Sequence, residues 1–231
     1  MSRPDAPAAP PACAAVLLAA GAGRRMGHLP KSLLRRDGET LLARQVRLLA
    51  AAGAAHIAVV LGHHADSLLP ELQRLDAGAT RLSWAVNPEP DAGPGSSLRC
   101  GLALLPDAAT VLVALADQPL LELGDMQAVL HAWQQRGAGT ELLVPTHGGQ
   151  PGHPIAFGPQ LRAAVMAMAD GQGVREWRRA HPQQVQHLPA AHARYCTDVD
   201  TPQNLERLQR ECGVTLACPP GFSLSLWERA G

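Results

Sequence analysis

The chain contains 231 residues, and its 20 Lys and Arg residues balance its 20 Asp and Glu residues, so the formal net charge is zero. This length suits one domain with enough material for a buried core. The charge balance argues against a nucleic-acid binder and against a membrane-surface protein, because both need a basic excess. Aromatic residues make up only 3% of the chain, which argues against a platform for stacking bases. A negatively charged ligand must therefore be held by a few placed groups.

The cysteines and the N-terminal segment predict a location in the cell. The five cysteines are an odd number without a Cys-x-x-Cys pair, which fits neither a disulfide framework nor a zinc motif and favours a reducing, cytoplasmic location. The longest apolar run, residues 12–20, is too short to span a bilayer. The prolines and Asp5 within residues 4–11 are atypical of a secretory signal. We expect a disordered leader at 1–12 and neither a membrane nor a nucleic acid as a partner.

The apolar pattern predicts strands that alternate with helices. Unbroken apolar runs ended by glycine are typical of strands buried on both faces of a parallel sheet, and Pro, Ser, Thr and Asp mark the starts of helices. In chain order, the predicted elements are a strand at 13–20, a helix at 40–52, a strand at 57–61, a helix at 68–75, a strand at 82–86, a helix from Ser96 or Ser97 to Leu105, a strand at 111–116, a helix capped by Asp125 and ending at Gly137, strands at 142–144 and 155–157, a helix opening at Pro159, and a helix opening at Thr201 and Pro202 with Gly213 behind it.

This alternation predicts an α/β fold, a Rossmann-like three-layer sandwich with a mostly parallel central sheet. The sequence shows no internal repeat. We expect one domain at 13–213, followed by a C-terminal tail at 214–231 for which the sequence predicts no structure.

A glycine-rich loop, residues 21–31, follows the first strand. Its glycines let backbone amides approach an anion, while Arg25 and Lys31 supply positive charge. The loop is not a P-loop, because Lys31 lies four residues beyond Gly27. It is not a dinucleotide fingerprint either, because Met26 stands where that motif needs glycine, and no acid follows the second strand to bind a ribose. The alternative to an anion-binding loop is an ordinary glycine turn that carries exposed basic side chains.

The full string around this loop resembles a known family. Leu18-Ala19-Ala20-Gly21-Ala22-Gly23-Arg24-Arg25-Met26-Gly27, followed by Lys31, resembles the opening motif of the nucleotidyltransferases related to molybdenum cofactor cytidylyltransferase and guanylyltransferase. The resemblance implies the nucleotide-diphospho-sugar transferase type of fold and a loop that wraps a triphosphate. It makes nucleotide-binding candidates of Leu18, Ala19, Ala20, Gly21, Gly23, Arg24, Arg25 and Lys31.

Three carboxylates are candidates for binding a divalent cation. Asp117 ends an apolar strand, where ligand sites collect in open α/β sheets, although such a residue can also cap the following turn. Asp198 and Asp200 lie two residues apart and hence on one side of an extended segment, and their alternative role is in a turn and a helix cap. The strings 116–119 and 198–202 resemble the metal-binding motifs of the family. The resemblance makes Asp117 and Asp200 the ligands of Mg²⁺, with Asp198 as a further candidate.

A third string lies between these motifs. Asn87 and residues 93–98 resemble the asparagine and the Gly-x-x-x-Ser-Leu stretch of the family, although Pro94 stands where methionine is commoner. Free amides at a helix N-terminus suit an anionic ligand. The resemblance adds these residues to the nucleotide-binding candidates: Asn87, Gly95, Ser96 and Ser97.

Histidines mark a second candidate region. Gly152-His153-Pro154 resembles a motif on the substrate side of the cytidylyltransferase branch. A lone histidine is more often a packed loop residue than a catalyst, and we assign His153 no general-base role. His63 and His64 are adjacent, lack the spacing of metal ligands and are expected on the surface.

The resemblance spans about residues 13–211 and implies an Mg²⁺-dependent transfer of CMP from CTP to the phosphate of molybdenum-bearing molybdopterin, with release of pyrophosphate. Arg25, Lys31 and Asp117 are then the catalytic candidates. CTP is favoured because residues 18–21 read Leu-Ala-Ala-Gly and residues 30–32 read Pro-Lys-Ser, where the guanylyl branch typically has Leu-Ala-Gly-Gly and Asp-Lys-Gly. The alternatives are a GTP-using enzyme, a transferase with another phosphorylated acceptor, and a non-catalytic maturation factor that delivers the cofactor to a molybdoenzyme.

Overall fold

The computed structural model describes residues 13–106, 108–219 and 221–222, so the leader expected at 1–12 lies outside the described residues. The strands are β1 (Cys13–Ala19), β2 (Arg35–Arg36), β3 (Glu39–Thr40), β4 (Ala54–Leu61), β5 (Arg81–Val86), β6 (Thr110–Leu115), β7 (Leu142–His147), β8 (Gln150–Pro151), β9 (Ile155–Phe157), β10 (Val185–Pro189) and β11 (Leu216–Ala217). The helices are α1 (Leu41–Ala51), α2 (Ala65–Leu72), α3 (Pro94–Ala103), α4 (Leu123–Gln134), α5 (Pro159–Ala167), α6 (Val174–Ala180) and α7 (Pro202–Cys212). Among these described helices, none is long and apolar enough to cross a membrane.

The main sheet has the strand order β10-β7-β9-β6-β1-β4-β5, with β8 paired to β7. All of its pairings are parallel except those made by β8 and β9, which confirms the mostly parallel sheet. From β1 the chain proceeds to β4 and β5 on one side and then returns with β6 on the other side of β1. The connections therefore diverge at the carboxyl ends of β1 and β6, which creates the crevice where open α/β sheets bind ligands.

Helices cover both faces of this sheet, so the three-layer architecture is confirmed. One apolar cluster packs α1, α2 and α4 against one face, and a second packs α3, α5 and α6 against the other. The buried helix residues that show this are Leu42, Leu68 and Val129 in the first cluster, and Leu98, Leu161 and Trp177 in the second. The unbroken apolar strands follow from this arrangement, because a strand between two helix layers is buried on both faces.

A third apolar cluster, here called the loop cluster, lies beside the glycine loop. It joins that loop to the start of α1, to the segment after β6, to α7 and to the tail. Each fully buried Leu or Val contributes about 1.5–3 kcal/mol, so these segments are held together although they are distant in sequence. The members of the loop cluster are Met26, Leu29, Leu34, Leu41, Leu120, Val199, Leu208 and Leu216.

The sequence placed three helix starts wrongly. The second helix begins at Ala65 rather than at residue 68, directly after the turn that ends β4. Helix α3 is capped by Gly93 rather than by a serine, and the hydroxyl of Ser96 donates to the Gly93 carbonyl oxygen at 2.9 Å. Helix α4 is capped by Glu122, and Asp125 is its third residue. In both capping errors the polar side chain bonds back to the true cap from inside the first turn.

Other elements were not predicted at all. Helix α6, strand β10 and the short strands β2, β3 and β8 were missed, because their segments are short or polar. The tail also contributes to the structure: β11 pairs with β2, and Leu216 is buried in the loop cluster. The domain boundaries at 13 and 213 stay a prediction.

Candidate active site

The glycine loop leaves β1 and turns sharply at Gly23. The φ angle of Gly23 is +61°, in the left-handed region, and the N–H group of Met26 donates to its carbonyl oxygen at 2.8 Å. A Cβ atom at this position would collide with the carbonyl oxygen of Leu29, so the turn requires glycine. At Gly21, by contrast, no atom of the described residues lies within 4 Å of the position that a Cβ would take. The backbone at Gly21 is therefore open to close approach by a ligand.

Lys31 lies between two carboxylates that the chain brings from distant positions. Its Nζ atom donates to Asp117 Oδ2 at 2.5 Å and to Asp200 Oδ1 at 2.7 Å, and its side chain is only 12% exposed. Arg25 is more exposed and donates to the other oxygen of Asp200 at 2.5 Å. Four of the residues that the sequence singled out thus form one charged group: Arg25, Lys31, Asp117 and Asp200.

The charges in this group shift one another's protonation equilibria. Burial lowers the pKa of Lys31, but the charges and hydrogen bonds of Asp117 and Asp200 outweigh burial and raise it. Burial raises the pKa of Asp200, but Lys31 and Arg25 outweigh burial and lower it. Both shifts favour the charged forms, so the ion pairs persist across the neutral pH range.

Asp198 faces the same group without a cationic hydrogen-bond partner among the described residues. Burial is the largest cause that raises its pKa, and the neighbouring charges of Asp200 and Asp117 add to the effect. Asp198 therefore lies within the electrostatic reach of both proposed metal ligands, and its own role toward a metal stays a prediction.

Backbone contacts hold the two acidic segments together. The N–H group of Val199 donates to the carbonyl oxygen of Asp117 at 3.1 Å, and the Val199 side chain is fully buried in the loop cluster. The Oδ1 atom of Asn204, in the first turn of α7, accepts from the N–H groups of Asp200 and Thr201 at 3.0 and 2.9 Å. The segment that carries Asp200 is thus held at two points. The Val199 backbone bonds to Asp117, and the Asp200 backbone bonds to Asn204 at the start of α7.

Gln118, directly after Asp117, extends this support and was not singled out in the sequence. Its side chain is buried, and its Nε2 atom donates to the carbonyl oxygen of Tyr195 at 2.7 Å. The side chain of Gln45 in turn donates to the carbonyl oxygen of Gln118 at 2.7 Å. Only its position beside Asp117 could have indicated this role, because nothing in the sequence relates it to Tyr195.

A buried ion pair anchors the segment that contains Tyr195. Arg194 donates to both carboxylate oxygens of Asp125 at 2.8 Å, and the Asp125 side chain is 2% exposed. The Tyr195 hydroxyl donates to the Asp125 carbonyl oxygen at 3.1 Å, and burial raises the pKa of that hydroxyl to about 12. The acidic residue that was expected to cap α4 therefore connects α4 to the segment leading to Asp200.

The asparagine and serine candidates form a network of their own. Asn87, at the end of β5, donates from Nδ2 to the hydroxyls of Ser96 and Ser97 at 2.8 and 3.0 Å, and all three side chains are buried. At Gly95, a Cβ atom would collide with the carbonyl oxygen of Gln172. These residues shape the N-terminus of α3, and their role toward a nucleotide stays a prediction.

The Gly-His-Pro string packs against the same backbone as Gln118. The N–H group of His153 donates to the Tyr195 carbonyl oxygen at 2.9 Å, and Gly152 is so close to Tyr195 that a Cβ would collide with it. Burial, helped by the charge of Arg178, lowers the pKa of His153 to about 4. The imidazole is therefore neutral at pH 7.

The structure also places Arg24, a predicted nucleotide-binding residue, and the two histidines that were expected at the surface. Arg24 forms an exposed ion pair with Asp91 at 2.7 Å, and His63 lies 3.1 Å from the same carboxylate. His64 contacts the carbonyl oxygen of Ala22 in the glycine loop at 3.0 Å. A small cavity of about 30 Å³ reaches the acidic group from this side, and it is lined by Leu18, Ala19, Gly21, Pro30, Lys31, Ser32, His64, Leu68 and Asp117.

The donor chemistry of the acidic group fits a hard divalent cation. Two carboxylates converge on a single cationic atom, the Lys31 ammonium, and Asp198 adds negative charge nearby. Mg²⁺ and Mn²⁺ prefer oxygen ligands, and Mg²⁺ commonly takes one or two carboxylates together with phosphate oxygens and waters. Asp117 and Asp200 would hold such an ion.

An open, mostly parallel sheet with a glycine loop and a charged group at the carboxyl ends of β1 and β6 is typical of α/β proteins that bind nucleotides. The sequence matches the MobA-like NTP transferase domain over residues 15–186, and the chain belongs to this family of nucleotidyltransferases.

Similar proteins carry several different names. The chain is 31% identical over 202 residues to the nicotine blue oxidoreductase of Paenarthrobacter nicotinovorans, covering 86% of this chain and 97% of that one. It is 36% identical over 152 residues to the bifunctional protein GlmU of Mycobacterium sp. (strain KMS), covering 64% of this chain and 29% of GlmU. The chain thus spans less than a third of the length of that relative.

Solved structures show the same fold. Rv0371c from Mycobacterium tuberculosis H37Rv superposes with a TM-score of 0.70 at 24% identity, covering 87% of this chain and 98% of that one. Another structure of Rv0371c is a complex with manganese and superposes with a TM-score of 0.64 at 24% identity, covering 87% and 99%. A nucleotidyl transferase from Methanothermobacter thermautotroptrophicus superposes with a TM-score of 0.69 at 21% identity, covering 86% and 96%. The central sheet and its flanking helices are those of the nucleotide-diphospho-sugar transferase fold.

Proposed function

We propose that this protein is a molybdenum cofactor cytidylyltransferase, which transfers CMP from CTP to the phosphate of molybdenum-bearing molybdopterin. In this reaction an oxygen of the acceptor phosphate forms a bond to the α-phosphorus of CTP. The bond between the α-phosphorus and the bridging oxygen to the β-phosphate breaks, and pyrophosphate leaves with that oxygen. The supporting observation is the position of Lys31 between Asp117 and Asp200, beside a glycine loop at the strand-order switch.

The charged group supplies what such a transfer needs, which is positioning and electrostatic stabilisation rather than a side-chain nucleophile. A bound Mg²⁺ supplies neutralisation of the phosphate charges. Asp117 and Asp200 would hold that ion, with Asp198 as a further oxygen donor. Lys31 would stabilise the negative charge on the α-phosphate, and Arg25 would hold the departing pyrophosphate.

The loop and the helix N-terminus would bind the rest of the nucleotide. The exposed backbone at Gly21 allows phosphate oxygens to approach, and Gly23 gives the loop its turn. Asn87, Ser96 and Ser97 would present the N-terminus of α3 to the nucleotide. The choice of CTP rests on residues 18–21 and 30–32, which differ from the guanylyl branch.

The test uses the purified chain with Mg²⁺, molybdenum-bearing molybdopterin and either CTP or GTP. Release of pyrophosphate and formation of the dinucleotide are measured together. We expect turnover with CTP and little with GTP. Equal turnover with both nucleotides would refute the cytidylyl choice. No turnover with either would refute the transferase proposal and favour a maturation factor that binds the cofactor.

Two matched substitutions separate the chemistry from the fold. Asp117→Asn should lower kcat by about 10²-fold or more, the range seen when electrostatic stabilisation of a transition state is removed. Asp76→Asn makes the same change at an exposed carboxylate that caps the turn after α2, and it should leave kcat unchanged. Near-normal pyrophosphate release by Asp117→Asn would show that the metal assignment is wrong.

The name of one relative favours a second candidate. Nicotine blue oxidoreductase is matched over 97% of its length, so an oxidoreductase reaction is the second candidate function for this chain. Strand β4 ends in Leu61, and Gly62, His63 and His64 follow, without the acid that would bind a nicotinamide-nucleotide ribose. Saturable binding of NADH or NADPH, with no pyrophosphate release, would support the oxidoreductase and overturn the transferase.

A further inference from the structure

A second and larger cleft opens away from the glycine loop. Its volume is about 280 Å³, which approaches the size typical of small-molecule sites. It lies between the β7–β8 hairpin, strand β10 and helix α6. The lining residues are Thr146, Gly149, Pro151, Arg178, Pro182, Val185 and His187, and none of them is acidic.

Arg178 is the distinctive residue of this cleft. Its side chain is partly buried, yet its guanidinium forms no hydrogen bond or ion pair with any residue that the structure describes. The helix that carries it is held in place, because Trp177 is buried beneath the sheet and His181 stacks on the Trp177 ring with centroids 4.6 Å apart. A guanidinium carried by a fixed helix, with five unused donors in a concave site, is suited to oxygen atoms of a ligand.

One end of the cleft, at Thr146 and Pro151, lies at the edge of the sheet where the charged group lies, and the other end lies at the start of β10. Thr146 lies near the carboxyl end of β7, and β7 is parallel to β6, with β9 between them. Adjacent strands are about 4.8 Å apart, so β7 lies about 10 Å from β6 across the sheet. His153 lies between the two sites. Its N–H group donates to the Tyr195 carbonyl oxygen, which also accepts from Gln118, and the charge of Arg178 helps to lower the pKa of its imidazole.

We propose that this cleft binds the end of the acceptor that is remote from its reacting phosphate, with Arg178 donating to oxygen atoms there. Pro151, Pro182 and Val185 give the cleft apolar walls, which suit a flat ring whose edge carries carbonyl or anionic oxygen. The acceptor would therefore place its phosphate at Asp117 and its oxygen-bearing ring at Arg178. This inference rests on the proposed function, whose acceptor is a phosphorylated pterin.

The kinetic test compares Arg178→Gln with Arg179→Gln. Arg179 lies on the same helix, is exposed and does not line the cleft, so the control removes the same charge from the same element. Arg178→Gln should raise the KM for the pterin phosphate by about tenfold or more, because charge-assisted hydrogen bonds are lost. The KM for CTP should stay within about twofold, and Arg179→Gln should resemble the wild type. An unchanged acceptor KM in Arg178→Gln, or a parallel rise in the KM for CTP, would overturn the assignment.

A binding measurement keeps this inference separate from the transferase proposal. Isothermal titration calorimetry follows the pterin phosphate binding to wild type and to both variants without nucleotide or metal. Weaker binding by Arg178→Gln alone supports the cleft even if the wild type releases no pyrophosphate, an outcome that refutes only the proposed reaction. Equal binding by wild type and Arg178→Gln, or no binding by the wild type, overturns the cleft assignment.

Discussion

Replacing Lys31 by methionine tests whether the two carboxylates form a metal site. Methionine keeps an unbranched apolar side chain of similar length and removes only the ammonium group. That ammonium bridges Asp117 and Asp200 at 2.5 and 2.7 Å. A divalent cation that enters between these carboxylates must displace it. We therefore expect Lys31→Met to bind Mn²⁺ more tightly than the wild type when no nucleotide is present.

The size of the effect follows from the two bonds that the cation must replace. A hydrogen bond to a charged group contributes about 1.5–3 kcal/mol. The Asp200 side chain is 33% exposed, and solvent weakens its bond, so we take the lower value for each. Together they give about 3 kcal/mol, which corresponds to about a hundredfold change in the dissociation constant.

Electron paramagnetic resonance of free Mn²⁺ measures this affinity directly, without turnover. Arg24→Met is the matched control, because Arg24 pairs with the exposed Asp91 rather than with the acidic group. It should leave Mn²⁺ affinity unchanged. The double variant Lys31→Met with Asp117→Asn should lose the gain. If Lys31→Met binds Mn²⁺ no more tightly than the wild type, the carboxylates do not form the metal site and the reasoning fails.

Three further predictions concern the loop, the buried ion pair and the neutral histidine. Gly23→Ala should lower the free energy of unfolding by about 1–3 kcal/mol, because the φ angle of +61° at this position strains alanine. Gly21→Ala should leave the free energy of unfolding within about 0.5 kcal/mol of the wild type and weaken only nucleotide binding. Urea denaturation and nucleotide titration of both variants check these expectations. Arg194→Met should lower the free energy of unfolding by about 3 kcal/mol, since the buried carboxylate of Asp125 loses both hydrogen bonds from Arg194 and keeps the Glu122 N–H group and His192 as weaker neighbours. An unchanged urea midpoint would contradict this. The pKa of His153 is lowered from 6.5 to about 4, so the unfolded chain takes up a proton that the native protein does not, and stability falls as the pH drops through this window. His153→Gln should remove on the order of 3 kcal/mol of that fall and leave the slope of stability against pH unchanged above pH 7, as urea titrations at several pH values would show.

Local patterns were enough to predict most of the sheet and its helices. The strands β1, β4 and β6 are continuous apolar runs, and a strand between two helix layers can be little else. Helix α1 was predicted within one residue at each end, because Thr40 caps it and accepts from the N–H group of Ala43. The capping errors at α3 and α4 arose because a cap and a first-turn partner are the same residue types, and only backbone geometry distinguishes them.

The candidate site was predicted as a set of residues but not as a geometry. Motifs in the sequence singled out Arg25, Lys31, Asp117 and Asp200, and the fold brings all four into contact. The residues that support them were missed, among them Gln118, whose partners are up to 77 positions away. Such contacts depend on the packing of the whole chain, and no local pattern encodes them.

The charges show which properties of the site the sequence determined and which the tertiary structure determined. Zero net charge determined that no broad field attracts an anion, so any anion site had to be local. The loop cluster decided where the local charges meet. Met26, Val199 and Leu208 bury apolar surface in this cluster, and this burial brings the glycine loop to Asp200. The placement of Arg178 in a cleft beyond β9 was likewise decided only by the fold, because helix α6 packs there through Trp177. Apolar burial is non-directional and acts between segments far apart in sequence, so it assembles charges whose meeting the sequence does not reveal.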